Sequence, residues 1–470
     1  MKRISALVIL LLCALLLTGC PAGLPTPAAL QLSGATYQST DDAQLAIAVD
    51  ASGAQHIARI ECDTTTGKAC RVIYEARRNG VTLAYQPYSP STNYLFRNPD
   101  IAVTDSGTAY LTWQNCPDND PNTRLCSTWY VSSANLSTLH VLEVGTHSLS
   151  APVVVGRGEN VYAVHEITNG ATGGALRYCQ VSPAVNPCHW ISGHPDPATD
   201  TLRRWHAGAA VSSYGALYVA WLENAGGVNS NAYYNDNYGA VNSDMVHSLS
   251  LGPNVLYFPP AIAVETDDSW VHILLSIDNT PGSGSDEMDI YYCNPVNCAG
   301  GGGVRTVDLP AGKSWKIHGT PSLTAGSAWA VAAFSAENSD YTGTEIFSFY
   351  YSGGAAAPTA SAIPLHTALS TGTTDCDPLV VLVSGTYLAI GWHICGFPPS
   401  RGDVYFYSTG NGPDGVIHSP ATSFAGRGGL ELAANGDYIA GIWNEVQADG
   451  RIATWLAYNS YVNYLPVIIR

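Results

Sequence analysis

Ten cysteines form five close pairs along the chain, and thiols at such spacing can either form disulfides or bind a metal. The pairs are Cys62/Cys70, Cys116/Cys126, Cys179/Cys188, Cys293/Cys298 and Cys376/Cys395. Pairing cannot be deduced from sequence alone, but an even number of cysteines in close couples is typical of exported proteins with local disulfides. Zinc is the alternative, although no pair has the C-x2-C spacing with matching histidines. We therefore predict five local disulfides.

Acidic or polar side chains recur where apolar segments end, and tryptophans precede several of them. Carboxylates beside aromatic rings suit sugars, cations or basic peptides. The alternative is structural, because strands become polar as they leave a sheet and tryptophans fill the packing between sheets. The candidate binding residues are Glu61, Trp113, Glu166, Trp221, Glu223, Glu337, His393, Trp443 and Glu445.

Three oxygen-rich segments could bind calcium or stack and hydrogen-bond sugars. They are Cys116–Cys126, which contains Asp118 and Asp120, together with Gly226–Met245 and Asp278–Asp289. None matches the twelve-residue EF-hand pattern, so solvated loops without a cofactor are expected and calcium is the alternative. The chain also lacks the G-x-S-x-G elbow, the P-loop, the dinucleotide fingerprint and H-E-x-x-H.

The elements that position these residues belong to an internal repeat. A short apolar strand, a tight turn and a second strand ending in a large residue recur at intervals of about 50 to 60 residues. Such periods indicate solenoids, propellers or arrays. The eight copies begin at Leu45, Pro99, Ala151, Ala207, Pro260, Thr320, Asp377 and Gly428.

A second strand pair follows each copy, and no helical period persists for three turns. Four strands per unit in a chain rich in Trp and Tyr predict an all-β fold, a single β-propeller over residues 40–470. Eight four-stranded blades are expected, or seven if one copy is degenerate or split; tandem sandwiches are the other alternative. Either residues 32–40 pair with the last blade to close the ring, or packing alone closes it. Every predicted disulfide is internal to one blade.

The N-terminus has the composition of a secretory signal. Lys2 and Arg3 precede an apolar run from Ala6 to Leu17, which is too short to span a bilayer comfortably. The following sequence, Leu-Thr-Gly-Cys ending at Cys20, resembles the lipobox of bacterial lipoproteins, in which the cysteine is diacylated. The resemblance implies a signal peptide over residues 1–19 and a lipidated Cys20 with a tether over residues 20–39.

The overall charge restricts the partners. The net charge is −17, with 20 Lys and Arg against 37 Asp and Glu. A strongly acidic chain repels phosphate backbones, so no nucleic-acid partner is expected. Anionic lipid headgroups are repelled in the same way, so membrane contact is expected through the lipid anchor only. The predicted location is extracytoplasmic, at the cell surface or in the periplasm.

The repeated phrase resembles the blades of sialidase-like propellers. Its nearest match is Phe96-Arg97-Asn98-Pro99, which leads into a first strand as the F/Y-R-I/L-P motif of sialidases does. The resemblance implies that Arg97 binds a substrate carboxylate and that Asp118 or Asp120 approximates the acid/base aspartate. The sequence departs from the family at Asn98, in having no complete Asp box, and in having eight repeats rather than six.

Long connections on a rigid scaffold are where binding residues usually lie. In a propeller whose first strands are innermost, the long connections all emerge on one face. We expect this face to bind a glycan, a cell-wall component or a protein without catalysis. A sialidase-like glycoside hydrolase is the alternative, and a purely structural propeller is the third hypothesis.

The lipobox resemblance makes a direct prediction. Cys20→Ala should move the protein from the membrane fraction to the soluble fraction, because stable anchoring needs the attached acyl chains. Cell fractionation and the mass of the N-terminal peptide measure this. Cys13→Ala, within the apolar run, is the matched control and should leave the acylation intact. Unchanged membrane association of the Cys20 variant would contradict the prediction.

Overall fold

The computed structural model describes short strands and tight turns and leaves most long connections out. The described residues are 30–37, 44–61, 70–89, 94–117, 126–143, 151–168, 174–191, 203–224, 230–237, 246–248, 255–256, 259–268, 270–278, 288–293, 305–306, 315–338, 344–352, 363–367, 373–383, 387–396, 404–408, 430–436, 438–446 and 452–460. Every element within these ranges is a β-strand. Among the same residues, no helix is long and apolar enough to cross a membrane.

The strands form small antiparallel sheets in chain order, each of which we call a blade. Blade 1 contains β2 (Leu45–Val49), β3 (Gln55–Glu61), β4 (Arg71–Arg78) and β5 (Val81–Tyr88). Blade 2 contains β6 (Tyr94–Val103), β7 (Ala109–Pro117), β8 (Ser127–Ser132) and β9 (Asn135–Glu143). Blade 3 contains β10 (Val153–Arg157), β11 (Asn160–Thr168), β12 (Gly174–Ser182) and β13 (His189–Trp190). Blade 4 contains β14 (Arg203–Val211), β15 (Leu217–Asn224), β16 (Ser230–Asn237) and β17 (Val246–Ser248).

The second half of the chain repeats the arrangement. Blade 5 contains β18 (Val255–Leu256), β19 (Ala261–Val264), β20 (Val271–Asp278), β21 (Met288–Cys293) and β22 (Arg305–Thr306). Blade 6 contains β23 (Trp315–Ala325), β24 (Trp329–Asn338), β25 (Thr344–Ser352) and β26 (Ile363–Thr367). Blade 7 contains β27 (Thr373–Val383), β28 (Tyr387–Gly396) and β29 (Val404–Ser408). Blade 8 contains β30 (Leu430–Asn435), β31 (Tyr438–Val446), β32 (Ile452–Ser460) and β1 (Leu30–Tyr37).

The first strands of the blades form a closed inner ring. Neighbouring first strands contact one another from β2 through β6, β10, β14, β19, β23 and β27 to β30, and β30 contacts β2 again. The predicted all-β propeller is therefore confirmed, and the described strands divide into eight blades. Blades 3 and 4 are additionally joined by one parallel pair, Gly174 with Arg203.

The N-terminal strand closes the ring. It is the outermost strand of blade 8 and pairs antiparallel with β32, Leu30 opposite Leu456 and Tyr37 opposite Ile452. Leu32 is 1% exposed and packs in one cluster with Leu45 and Ile57 of blade 1 and with blade 8. Of the two closure hypotheses, strand pairing is the one observed.

Strands inside a blade are buried on both faces because another blade covers each face. All seven residues of β3 are buried. Ala58 and Ile60 pack toward blade 2, whereas Ile57 packs toward blade 8. The burial extends to charged side chains, since Arg59 and Glu61 of β3 are 1% and 3% exposed.

Tight turns between first and second strands form a hydrogen-bonded lattice at one end of the ring. Gly53 has a φ of 78°, and a Cβ there would lie 2.5 Å from Cε1 of Tyr438 in blade 8, so glycine is required. Asp268 in blade 5 accepts hydrogen bonds from Arg157 of blade 3 at 3.1 Å and from the Ser213 N–H of blade 4 at 2.8 Å. Three turns are thus joined at one carboxylate.

Two of the five predicted disulfides are present, Cys116–Cys126 in blade 2 and Cys179–Cys188 in blade 3. Cys70 is also disulfide-bonded. Its predicted partner Cys62, like Cys298, lies outside the described residues. For Cys293, Cys376 and Cys395 the structure describes only the backbone, so these bridges stay predictions.

Because β1 completes the last blade, Leu32→Ala should lower the free energy of unfolding by about 2–5 kcal/mol, the usual cost of truncating a buried leucine. Urea titration followed by tryptophan fluorescence measures this. Leu139→Ala on the outer strand β9 is the matched control, since Leu139 is 39% exposed. If both variants lose the same free energy of unfolding, the contact of Leu32 stabilises the fold no more than an exposed leucine does, and the prediction is wrong.

Candidate functional site

Two faces of the propeller differ in what they carry. The loop face holds the connections between second and third strands and between blades, and the turn face holds the tight turns. Most loop-face connections lie outside the described residues, including Asp118 and Asp120.

The segment Gly226–Met245 was expected to be a loop, but its residues Ser230–Asn237 form β16, which pairs with β15 along its whole length. That part of the expectation is wrong, because β15 needs a second partner for its backbone groups.

Three of the carboxylates predicted at the ends of second strands have described side chains, and none of the three faces solvent. Glu61, Glu166 and Glu223 are 3%, 1% and 8% exposed. For Glu337, His393 and Glu445 the structure gives strand positions in β24, β28 and β31 but describes no side chain. The three described carboxylates lie between blades, because the second strand is covered on both faces.

Glu61 illustrates what such a carboxylate does. One of its oxygens accepts a hydrogen bond from Arg59 Nε at 3.1 Å, and the other accepts one from Arg71 Nη2 at 2.8 Å. Arg59 is 1% exposed and also binds Glu75 at 2.6 Å. A buried guanidinium is tolerated only with such partners. The network lies on the side of β3 and β4 that faces blade 8, so it belongs to the seam at which the ring closes.

The sequence contains a signal for this network in the spacing of its charged residues. Arg59 and Glu61 are two residues apart on one strand, as are Glu75 and Arg77 on the next. In a strand, residues two apart share a face. The register brings the two pairs onto neighbouring strands, with Glu61 opposite Arg71.

The candidate tryptophans are packing residues. Trp113, Trp221 and Trp443 are all completely buried. Trp113 stacks on Tyr88 with ring centroids 5.3 Å apart and meets Phe96 edge-on at 5.8 Å. Their rings are unavailable to a ligand. They fill the packing between sheets, which was the alternative to a binding role.

Arg97 lies at the loop-face end of the innermost strand β6, and its side chain is exposed. A register shift between Arg97 and Asp100 marks a β-bulge there. Within the bulge Asn98 takes a φ of 50°, a conformation that asparagine adopts more readily than most residues. Bulges commonly re-aim side chains beside functional sites.

Amide side chains from two blades hold this bulge. The Asn98 side-chain oxygen accepts a hydrogen bond from Gln44 Nε2 at 2.6 Å, and the Asn98 N–H donates to the Gln44 side-chain oxygen. The Asn98 Nδ2 group donates to Gln114, which is 2% exposed. The polar residue that departs from the sialidase motif therefore links blades 1 and 2.

Asp100 joins blades 2 and 3 next to this bulge. Its carboxylate accepts hydrogen bonds from the N–H groups of Val154 at 2.7 Å and of Ile101 at 2.8 Å. Burial raises the pKa of Asp100 to about 7, although these hydrogen bonds oppose the rise. A carboxyl that titrates near neutrality could act in acid/base chemistry, yet both oxygens of Asp100 already bind backbone groups. Sequence reasoning did not single it out.

His165 lies deep in the interface between blades 2 and 3. It is 1% exposed and opposes Arg177 on the next strand. Burial, and then the Arg177 charge, lower the pKa of His165 to about 3. The imidazole is therefore neutral across the physiological range. Among the described residues, no group of three or more His, Cys, Asp and Glu is arranged to hold a metal ion.

Comparisons with known proteins give only distant structural similarities. No family model matches the chain, and no curated protein matches it. The chain is similar to the polysaccharide lyase Uly1, with 9% identity, 94% coverage of both chains and a TM-score of 0.46. It is also similar to prolyl oligopeptidase B from Galerina marginata, with 9% identity, 90% coverage of this chain, 56% of that one and a TM-score of 0.49. An alpha-L-arabinanase from Penicillium chrysogenum matches with 11% identity, 64% coverage of this chain, 91% of that one and a TM-score of 0.38. Similarities this distant carry no information on the activity of the present chain.

The buried His165 predicts a pH dependence. Its pKa in the folded state lies below its value of 6.5 in the unfolded chain, so protonation favours unfolding. Its contribution to stability is present above pH 6.5 and is lost as the pH falls toward 3, by about 1.4 kcal/mol per pH unit. His165→Leu should therefore weaken the acid dependence of urea unfolding between pH 7 and about pH 5. If His165→Leu leaves the dependence of the unfolding free energy on pH unchanged, the prediction is wrong. His140→Leu, at an exposed position on β9, is the control.

Proposed function

We propose that this protein is an exported, lipid-anchored β-propeller that binds an acidic glycan at its loop face without catalysis. The observation that carries the proposal is the exposed Arg97, held at the inner rim of the loop face by a bulge that two blades fix in place. Cell-wall components and protein partners are the other ligand classes that such a face could bind.

The chemistry of Arg97 favours an anionic ligand. A guanidinium presents parallel N–H groups that match the two oxygens of a carboxylate. Arg71, whose side chain is 44% exposed, lies at the loop-face end of the adjacent blade, but its guanidinium is paired with Glu61. Because the net charge of the chain is −17, the exposed Arg97 guanidinium provides a local positive site on an acidic protein.

Rigidity supports recognition. Arg97 belongs to a strand rather than to a free loop, and the hydrogen bonds that Asn98 donates to the side chains of Gln44 and Gln114 fix the backbone next to it. A preorganised binding group loses less conformational entropy when the ligand arrives.

Among the described residues, the carboxylates at the ends of second strands and beside the bulge favour binding over chemistry. Glycoside hydrolysis needs two carboxyl groups that face the scissile bond from the same cleft. Glu61 has both oxygens bound by guanidinium groups, and Glu166 and Glu223 are buried between blades. Asp100 uses its oxygens to bind backbone N–H groups.

A sialidase-like hydrolase is the second candidate. The observation that favours it is again Arg97, which is exposed in the loop-face half of the first strand β6, at the position of the carboxylate-binding arginine in the motif that resembles sialidases. In that case Asp118 or Asp120 would supply the acid. Both aspartates lie outside the described residues.

Export is supported by the cysteines. The disulfides in blades 2 and 3 are typical of an oxidising compartment, outside the cytoplasm. The lipid anchor on Cys20 rests on the sequence motif and is part of the proposal.

The test is a binding experiment with a panel of neutral and acidic glycans that includes sialosides. The purified full-length protein in detergent is incubated with the panel, and the bound and free fractions are analysed by mass spectrometry. We expect intact acidic glycans to be retained and Arg97→Ala to reduce retention about tenfold or more, because a hydrogen bond to a charged group contributes roughly 1.5–3 kcal/mol.

Two controls separate the alternatives. Arg78→Ala removes an exposed arginine from the turn face and should leave binding unchanged. Arg97→Lys keeps the charge but loses the planar fork, so it should bind more weakly than the wild type. Shorter glycans that disappear with Arg97→Ala would replace the proposal with the hydrolase, and retention of no glycan would remove sugars as ligands.

A further inference from the structure

The interface between blades 2 and 3 changes character along its height. Near the turn face it is apolar, with Ala102 of blade 2 packed in one cluster with Val154 and Ala163 of blade 3. Near the loop face, the side chains on the same sides of the two blades are polar. They are Thr112 and Gln114 on β7, Thr128 on β8, His165 on β11 and Arg177 on β12.

The strand registers place Thr112 and His165 on facing sides of this interface. Thr112 pairs with Asp100, whose carboxylate accepts a hydrogen bond from the Val154 N–H of blade 3 at 2.7 Å. Val154 pairs with Ala163, so Thr112 and Ala163 lie at about the same height on the two second strands. His165 is two residues further along β11, on the same side as Ala163 and nearer the loop face. The imidazole therefore faces the side of β7 that carries Thr112.

Two of these polar groups are buried without hydrogen bonds to the described residues. Neither ring nitrogen of His165 has such a bond, and neither does the Thr112 hydroxyl. His165 is 1% exposed and Thr112 is completely buried. Buried polar groups are nearly always paired, either with other protein groups or with a bound water or ion. The interface thus offers two hydrogen-bonding groups to a small bound species.

The charge beside His165 favours an anion. Arg177 pairs with His165 on the neighbouring strand, and its charge contributes, after burial, to the lowered pKa of the imidazole. The Arg177 guanidinium is held in place, since it donates to the Cys188 carbonyl at 2.8 Å and lies 4.6 Å from the centre of the Trp190 ring. An N–H and an O–H donor beside a fixed positive charge attract an anion.

Asp100 is the one carboxylate among the described strand side chains on this side of blade 2. Its oxygens accept hydrogen bonds from backbone N–H groups, and burial raises its pKa to about 7. Glu143 pairs with Thr128 at the end of β9, and its side chain lies outside the described residues. The other titratable or charged groups on this side of blade 2 carry no negative charge near neutral pH; they are Arg97, Tyr130 and His140.

We infer that the loop-face half of the interface between blades 2 and 3 binds one small monovalent anion, of the size of chloride, between the His165 imidazole, the Thr112 hydroxyl and the Arg177 guanidinium. The anion accepts hydrogen bonds from the imidazole and the hydroxyl and balances the buried positive charge. The site lies in the wall of the propeller, beneath the rim that carries Arg97, and it does not depend on the proposed binding of a glycan.

Anion binding is coupled to protonation at this site. An anion beside His165 favours the imidazolium, so it raises the pKa of His165 from about 3. By linkage, the protein binds the anion more tightly as the pH falls. Neutralisation of Asp100 below about pH 7 acts in the same direction, because it removes a negative charge from the interface. The anion should therefore stabilise the fold, and more strongly in acid.

The experiment is urea unfolding of the purified full-length protein in detergent, in sodium bromide and in sodium gluconate at equal ionic strength. Gluconate is the reference because it is too large for a site enclosed between two blades. Bromide at about ten times its Kd should multiply the folding equilibrium constant about tenfold. The affinity for bromide should be about tenfold higher at about pH 5 than at about pH 8. Crystals grown in bromide should show an anomalous scattering peak beside His165 and Thr112.

Variants locate the site. His165→Leu and Thr112→Val each remove one hydrogen-bonding group and should abolish the stabilisation by bromide. Two matched controls should keep it. His140→Leu changes an exposed histidine on the same side of blade 2, and Ser276→Ala removes a completely buried hydroxyl from blade 5.

Two outcomes overturn the inference. Equal free energies of unfolding in bromide and gluconate at both pH values would leave a water molecule or the Glu143 carboxylate as the partner of His165. A stabilisation by bromide that persists in both His165→Leu and Thr112→Val would show that the ion binds elsewhere on the protein.

Discussion

The pairing of β1 with β32 is the contact on which the ring depends. Each blade has two apolar faces that only its neighbours can cover, so an open array would leave the outer faces of blades 1 and 8 in water. The N-terminal strand prevents this by supplying the fourth strand of blade 8 from the other end of the chain. Leu32 then fills the same cluster as Leu45 and Ile57 of blade 1. The closed circle of first strands follows from this single join.

Much of the architecture could be predicted from the sequence because it is repetitive. One strand-turn-strand phrase recurring through the chain implies similar units, and units with two apolar faces bury them by stacking on one another. The two disulfides that the structure describes could be predicted as well, since each cysteine pair brackets a connection within one blade. Periodicity did not show that Ser230–Asn237 is a strand, because asparagine and tyrosine there resemble a loop while the neighbouring strand decides the outcome.

The candidate site was harder to predict, because burial depends on residues far away in the sequence. Glu61 and Trp113 both lie near the predicted ends of second strands, which made them look available at a rim. The structure covers them with the adjacent blades, and Glu61 is neutralised by Arg59 and Arg71. Arg97 differs because a bulge redirects it, and that bulge depends on Gln44 from blade 1, which no local pattern indicates. Asp100 was missed for the same reason, since its partner Val154 comes from blade 3.

The closing strand also determines how the molecule would respond to force. A pull on the chain ahead of Leu30 acts nearly along the axis of β1, because the strand begins at that residue and runs antiparallel to β32. In that direction the hydrogen bonds between β1 and β32 are loaded together in shear instead of being opened one after another. The strand that completes the ring is therefore oriented to resist tension applied along β1 from its first residue.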